Sequence, residues 1–246
     1  MKVLVLGHKG MLGHMVHKYL STKNDCELIT TDLRWPSQEF RTFVVNFDGD
    51  YVINCIGAIH QRTNDFSVNE DLPIWLESGI FNKSFKIIHP GTDCEMDSDE
   101  YGSSKRHAAE YILKEGTDTT IIKTSIIGPE LDTKASLLEW FLNVEDESID
   151  GYSEYYWNGN TTLQWAKICY KIMRDYYRYD TLNIPVSKCI SKYELLNIMK
   201  SIFEKEITIN KDSSIKFNKC LQVTHDMPDE NIEAQLKELK EFYYDN

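Results

Sequence analysis

The chain has 246 residues, a formal net charge of -12, and 41% hydrophobic against 27% charged residues. That balance excludes a disordered chain, and the acidic excess excludes general affinity for nucleic acid, which needs clustered Lys and Arg against phosphates. No run approaches the roughly 20 apolar residues of a membrane span. The six scattered cysteines form no Cys-x-x-Cys pair, so the reading is free thiols in a reducing, cytoplasmic setting without a metal site.

Lys2-Val3-Leu4-Val5-Leu6 is a short β-branched, apolar run ending at Gly7, as a buried parallel strand does. Gly7-His8-Lys9-Gly10-Met11-Leu12-Gly13 follows, then Met15, Val16, Tyr19 and Leu20 at helical spacing. Further strands are predicted from Cys26 to Thr30, Tyr51 to Ile56, Phe85 to Ile88 and Thr120 to Ile127, alternating with helical stretches. This alternation predicts a doubly wound α/β Rossmann sheet with helices on both faces. After about residue 130 helices near 135–143, 161–178, 191–204 and 229–243 are separated by short strands such as Leu182–Val186 and Ile207–Ile209. The expected organisation is a nucleotide-binding domain over 1–130 and a small α/β substrate lobe over 131–246, with some of its segments returning to the sheet.

Glycines at 7, 10 and 13 between a first strand and a first helix permit a tight turn, close approach of backbone to a pyrophosphate, and close packing of helix on strand. The pyrophosphate then sits at the positive end of the helix. The turn residues Gly7 to Gly13 are therefore cofactor-binding candidates, as are Cys55-Ile56-Gly57 at the end of the third strand. Asp32, at the end of the second strand, suits a ribose hydroxyl and NADH, whereas Lys9 and Arg34 suit the extra phosphate of NADPH. NADPH is the reading preferred, with NADH as the alternative.

Tyr101 and Lys105 lie four residues apart, on one face of a helix that begins near Tyr101. A nearby ammonium stabilises phenolate, so the expectation is a phenol lowered from its ordinary value of about 10 and able to protonate a carbonyl that accepts hydride. Thr92 follows a strand ending at Gly91, where ligands of open α/β sheets bind, and would share the same oxygen.

With these elements in order the sequence resembles extended short-chain dehydrogenases/reductases acting on nucleotide sugars. It is most similar to the dTDP-4-dehydrorhamnose reductase-like group, through Thr92-Asp93-Cys94, Tyr101-Gly102-Ser103-Ser104-Lys105, Thr124-Ser125-Ile126-Ile127-Gly128, Leu137-Leu138-Glu139-Trp140-Phe141, Gly159-Asn160-Thr161-Thr162 and Ile190-Ser191-Lys192-Tyr193. The resemblance implies NADPH-dependent reduction of the 4-keto group of a nucleotide-linked 4-keto-6-deoxyhexose lying between the two domains. Tyr101 would be the acid, Lys105 the ribose anchor and Thr92 the carbonyl anchor. It further implies Asn69 beside the cofactor, Trp140, Asn160, Thr161 and Thr162 near the substrate, and a homodimer paired through helices. In this chain six residues separate Cys94 from Tyr101, a shortened site rim. Segment 217–228 matches the family loosely.

In the related GDP-fucose and UDP-rhamnose synthases a Cys placed like Cys94 is the base that epimerises C3 and C5, and Lys134 falls where the opposing acid is placed. A 4-keto group acidifies both neighbouring C–H bonds, so one thiolate and one acid suffice for that chemistry. A bifunctional 3,5-epimerase/4-reductase is therefore the alternative enzyme, and a non-catalytic NADP-binding regulatory protein the alternative of another class. His8, His14 and His17 read as ordinary turn and helix residues, since one helix supplies at most two metal ligands there.

Overall fold

The computed structural model describes residues 1–78, 85–224 and 231–245. In chain order they form β1 (Lys2–Leu6), α1 (Met11–Leu20), β2 (Glu27–Thr30), α2 (Gln38–Val45), β3 (Tyr51–Asn54), α3 (Val68–Glu77), β4 (Lys86–Gly91), a 3-10 turn (Asp93–Met96), α4 (Glu100–Glu115) and β5 (Thr119–Lys123). There follow β6 (Ile126–Ile127), α5 (Leu137–Asn143), β7 (Ser148–Trp157), β8 (Asn160–Thr161), α6 (Thr162–Arg174), β9 (Leu182–Asn183), β10 (Ile190–Ser191), α7 (Lys192–Ile202), β11 (Thr208–Asn218) and α8 (Ile232–Tyr243).

The chain forms two compact units, Met1–Lys123 with Ala166–Asn183, and Thr124–Trp165 with Ile184–Asn246. The first is a six-stranded sheet in the order β2-β1-β3-β4-β5-β9, with every pairing parallel. The order reverses between β1 and β3, so the strand ends there open the crevice in which α/β sheets bind ligands. Val3 to Leu6, Val52, Ile53, Ile87 and Ile88 are essentially unexposed, because helices cover both faces of a parallel sheet. α1 lays Leu12, Met15, Val16 and Leu20 into that core; of the stripe its spacing predicts, Met15, Val16 and Leu20 are buried and Tyr19 is half-buried.

The second unit holds a three-stranded sheet, β10-β7-β11, and a two-stranded one, β6-β8. α7 begins with a capping box, Ser191 accepting the Glu194 N–H at 3.1 Å and Glu194 accepting the Ser191 N–H at 2.7 Å. Cys189 and Cys220 are joined in a disulfide, whereas Cys26, Cys55, Cys94 and Cys169 are thiols outside any disulfide. This corrects the expectation of six free thiols. Spacing along the chain reveals pairs that are close in sequence, and these two are brought together by the approach to β10 and the exit from β11.

The residues at stripe spacing on α6 pack within the chain. Ile168 and Ile172 are buried, while Tyr176 lies past the end of the helix with its hydroxyl donating to the Asp118 carbonyl at 3.2 Å. No helix among the described residues is long and apolar enough to cross a membrane. Segment 217–228 lies partly outside the described residues.

Candidate functional site

The glycine turn joins β1 to α1 as an open cradle. Gly7 has φ of +74°, and a side chain there would come within 2.8 Å of the Cys55 backbone at the end of β3. A Cβ on Gly13 would fall 2.1 Å from the Gly7 carbonyl, so α1 sits on the turn only because residue 13 has none. Gly10 is the N-cap of α1 and supplies no side-chain bond to the first-turn N–H groups. Those donors, with the helix dipole behind them, suit an anionic group. Met11 and Leu12 open the helix, Leu12 turning into the core.

At the end of β2 the acid and the cation are partners rather than rivals. Lys9 Nζ lies 2.6 Å from Asp32 Oδ1 and His8 Nε2 lies 3.8 Å from it. The Lys9 hydrogen bond holds the Asp32 carboxyl below its ordinary range, helped by the charges of Lys9, His8 and Arg34. Lys9 and Asp32 are both well exposed, so the pair is open to exchange for a ligand phosphate.

The second half of the site lies at the ends of β3 and β4. Asp99 caps α4, accepting the Gly102 N–H at 2.7 Å, and so starts the helix one turn before the buried Lys105. Lys105 Nζ comes to rest against Gly57 just after β3, 3.4 Å from where a side chain on that glycine would begin. Asn69 fixes the same stretch, its amide donating to the Ala58 carbonyl at 3.0 Å and its oxygen accepting the Ala58 N–H at 2.8 Å. Thr92 caps the 3-10 turn through the Cys94 N–H at 3.2 Å, donates to Asp93 Oδ1 at 3.1 Å, and hydrogen-bonds the Tyr101 phenol. Cys94 Sγ lies 3.7 Å from Asp93 Oδ1.

The electrostatics differ from the sequence expectation in one respect. Tyr101 is raised above its ordinary value, first by burial and then by Cys94 and Asp93, with only Thr92 pulling it down. Lys105 does not lower it, because burial weakens the ammonium itself and brings Lys105 to about 8. The phenol is thus held firmly protonated, the form that donates a proton. Burial also pushes the Cys55 thiol up and keeps His89, 3.3 Å from Asn54 Nδ2, neutral.

Three groups here were not found from the sequence. His60 and Phe66 pack on Tyr101 with ring centroids 5.5 and 5.7 Å away, and His60 Nε2 lies 3.0 Å from Asp99 Oδ2. Asp99 carried a legible signal as an acid just ahead of a helix start; the two ring contacts span 35 residues or more of chain and carried none.

The remaining candidates belong to the second unit. Lys134 is exposed in the loop before α5, and Glu130 clasps that loop through Thr133 Oγ1 at 2.8 Å and the Ala135 and Ser136 N–H groups at 2.9 and 2.8 Å. Trp140 is exposed on α5. Asn160, Thr161 and Thr162 are fully buried. Asn160 bonds Thr124 Oγ1, the Pro185 carbonyl and Gln235, and the Thr161 N–H bonds Gln235 Oε1, so these atoms are committed within the unit. Among the described residues no group of three or more His, Cys, Asp or Glu is arranged to hold a metal ion.

No protein-family model and no curated protein matches this chain. Solved structures do. A dTDP-4-dehydrorhamnose reductase from Clostridium acetobutylicum superposes with a TM-score of 0.78 at 18% identity, over 98% of this chain and 99% of that one. The Bacillus anthracis dTDP-4-dehydrorhamnose reductase in complex with NADP gives 0.73 at 13% identity, over 100% and 99%. A GDP-mannoheptose C4 reductase from Campylobacter jejuni with NADP bound gives 0.73 at 13% identity, over 98% of each. Over its whole length the chain therefore has the Rossmann-type α/β fold of these proteins.

Proposed function

We propose that the chain is an NADPH-dependent oxidoreductase that reduces the 4-keto group of a nucleotide-linked 4-keto-6-deoxyhexose, as in the making of rhamnose-type deoxysugars. The observation that carries the reading is the convergence of Thr92, Tyr101 and Lys105 on the strand-end crevice that also holds the glycine cradle. The names of the nucleotide-sugar reductases with the same fold support the substrate class. The cradle fits a dinucleotide because Gly7 and Gly13 leave no side chain between the turn and a pyrophosphate. Lys9 and Arg34 favour NADPH over NADH through the extra phosphate, which would take Lys9 from Asp32.

When bound, the nicotinamide supplies the hydride. The chain's own residues do the rest: Thr92 and Tyr101 hold the ketone oxygen between two hydroxyls, Tyr101 gives it a proton, and Lys105, seated against Gly57, supplies positive charge on the cofactor side. Trp140 and Lys134 are the exposed candidates for substrate contact in the second unit. A cytoplasmic location belongs to the same reading; a homodimer would need a surface other than the buried stripe of α6.

Tyr101→Phe tests it. The variant keeps NADPH affinity, read by the cofactor's fluorescence, and loses turnover of 4-keto sugar nucleotides by about 10²–10⁴-fold, the usual worth of a positioned acid. Turnover at the native rate would remove Tyr101 from the role.

A second activity rests on Cys94, whose thiol lies two residues beyond Thr92 in the same turn. If it is the base for C3 and C5, product formed in deuterated water carries deuterium at both carbons, and Cys94→Ala abolishes the label. Product unlabelled by the native chain leaves reduction alone.

A further inference from the structure

We propose that Arg106 is a positioning residue for Thr92. Its guanidinium latches the short turn that carries Thr92 onto α4, the helix that carries Tyr101, and so sets the spacing of the two hydroxyls that hold the ketone oxygen. That purpose rests on the reductase reading; the latch itself rests on geometry.

Between Thr92 and Asp97 the chain turns its carbonyl groups towards the start of α4. Arg106 Nη1 donates to the Glu95 carbonyl at 2.8 Å and to the Asp97 carbonyl at 3.2 Å, and Nη2 donates to Ser103 Oγ at 3.2 Å. One planar fork thus joins two points of the turn to the helix just past Tyr101, which the single ammonium of a lysine could not do. The approach is close because residue 102 is glycine. A Cβ there would fall 2.4 Å from the Cys94 carbonyl oxygen and 2.9 Å from that of Asp97. With only six residues between Cys94 and Tyr101, ties at Glu95 and Asp97 leave the connection little freedom.

The sheet holds the same turn from its other end. Glu95, only 4% exposed, accepts the Thr92 N–H at 3.0 Å through Oε1, and its Oε2 lies 2.6 Å from Nζ of Lys123 at the end of β5. Thr92 Oγ1 accepts the Cys94 N–H at 3.2 Å, so its hydroxyl goes where the turn goes. α4 has its own supports: Asp99 caps it through the Gly102 N–H, and Ala108, Ala109 and Ile112 are buried along it. Loss of the guanidinium therefore loosens the turn, and Thr92 with it, while Tyr101 stays on its helix.

Arg106→Met, which keeps the stem and removes the fork, tests this in the whole chain, with NADPH and whichever dTDP-, UDP- or GDP-linked 4-keto-6-deoxyhexose the native protein reduces. Hydrogen exchange at the Cys94 amide should rise roughly tenfold while the β4 amides keep their protection. kcat should fall by about 10²-fold, the cost of a misplacement near 1 Å, with KM and NADPH affinity unchanged. In a Thr92→Val background the same change should cost at most about threefold more, because the hydroxyl it positions is already gone. Equal losses in both backgrounds would show a general structural role and overturn the proposal. So would an unchanged Cys94 amide, or an Arg106→Met chain that does not fold. Absence of any 4-keto reduction by the native protein would overturn the reductase reading, and exchange at Cys94 would still decide for or against the latch.

Discussion

At the scale of single residues, burying a charge costs stability. Lys105 is a buried ammonium whose midpoint has dropped to about 8 from 10.5, chiefly by desolvation. Between those values the native state binds fewer protons than the unfolded chain, so this group's contribution to unfolding free energy rises with pH across that window. Below pH 8 the cost of burying the charge is fully present, about 3 kcal/mol at one unit per 1.36 kcal/mol. Lys105→Met should therefore be more stable than the native chain in urea at pH 7, by up to that amount, and lose the advantage above pH 10.5. Equal stability of the two proteins at pH 7 would show that the charge is not buried as described. The residue type and spacing of Tyr101 and Lys105 were legible in the sequence; their protonation was not, because desolvation and the charges of Asp93 and Glu95 depend on which strand ends meet.

At the scale of elements, what was legible followed from local pattern and what was not depended on partners. β1, β3 and β4 are apolar runs closed by glycine, proline or a turn, and they stand within a few residues of their expected positions. The run from Thr120 to Ile127 reads as one strand yet divides into β5 and β6, which pair in different sheets; periodicity says nothing about which sheet a residue joins. β11 was expected only over Ile207–Ile209 because the following residues are polar and mostly exposed; pairing with β7 carries it to Asn218 across an irregular register. The loop after β3 has no strand pattern, but the two bonds from Asn69 to Ala58 act like one rung of a ladder. Asn69→Ala should speed hydrogen exchange of the Ala58 amide by at least tenfold, the worth of roughly 1.4 kcal/mol, while the β3 amides stay protected. Unchanged exchange at Ala58 would mean that the loop is held by something else.

At the scale of the whole molecule, the chain superposes on solved reductase structures over 98% or more of its length although its identity with them is below a fifth. Fold class was legible because alternating strands and helices leave few topologies. The placement of β9 is the feature with the widest consequence. It closes the edge of the main sheet beside β5, yet residues 124–165, which belong to the other unit, are threaded between them. During synthesis the ribosome therefore releases β5 well before the strand that covers it, and the hydrogen-bonding row of β5 must wait through the making of β6 to β8 and the whole of α6. For that interval the nascent chain exposes an apolar strand edge, Thr119 to Lys123, to any neighbour able to pair with it.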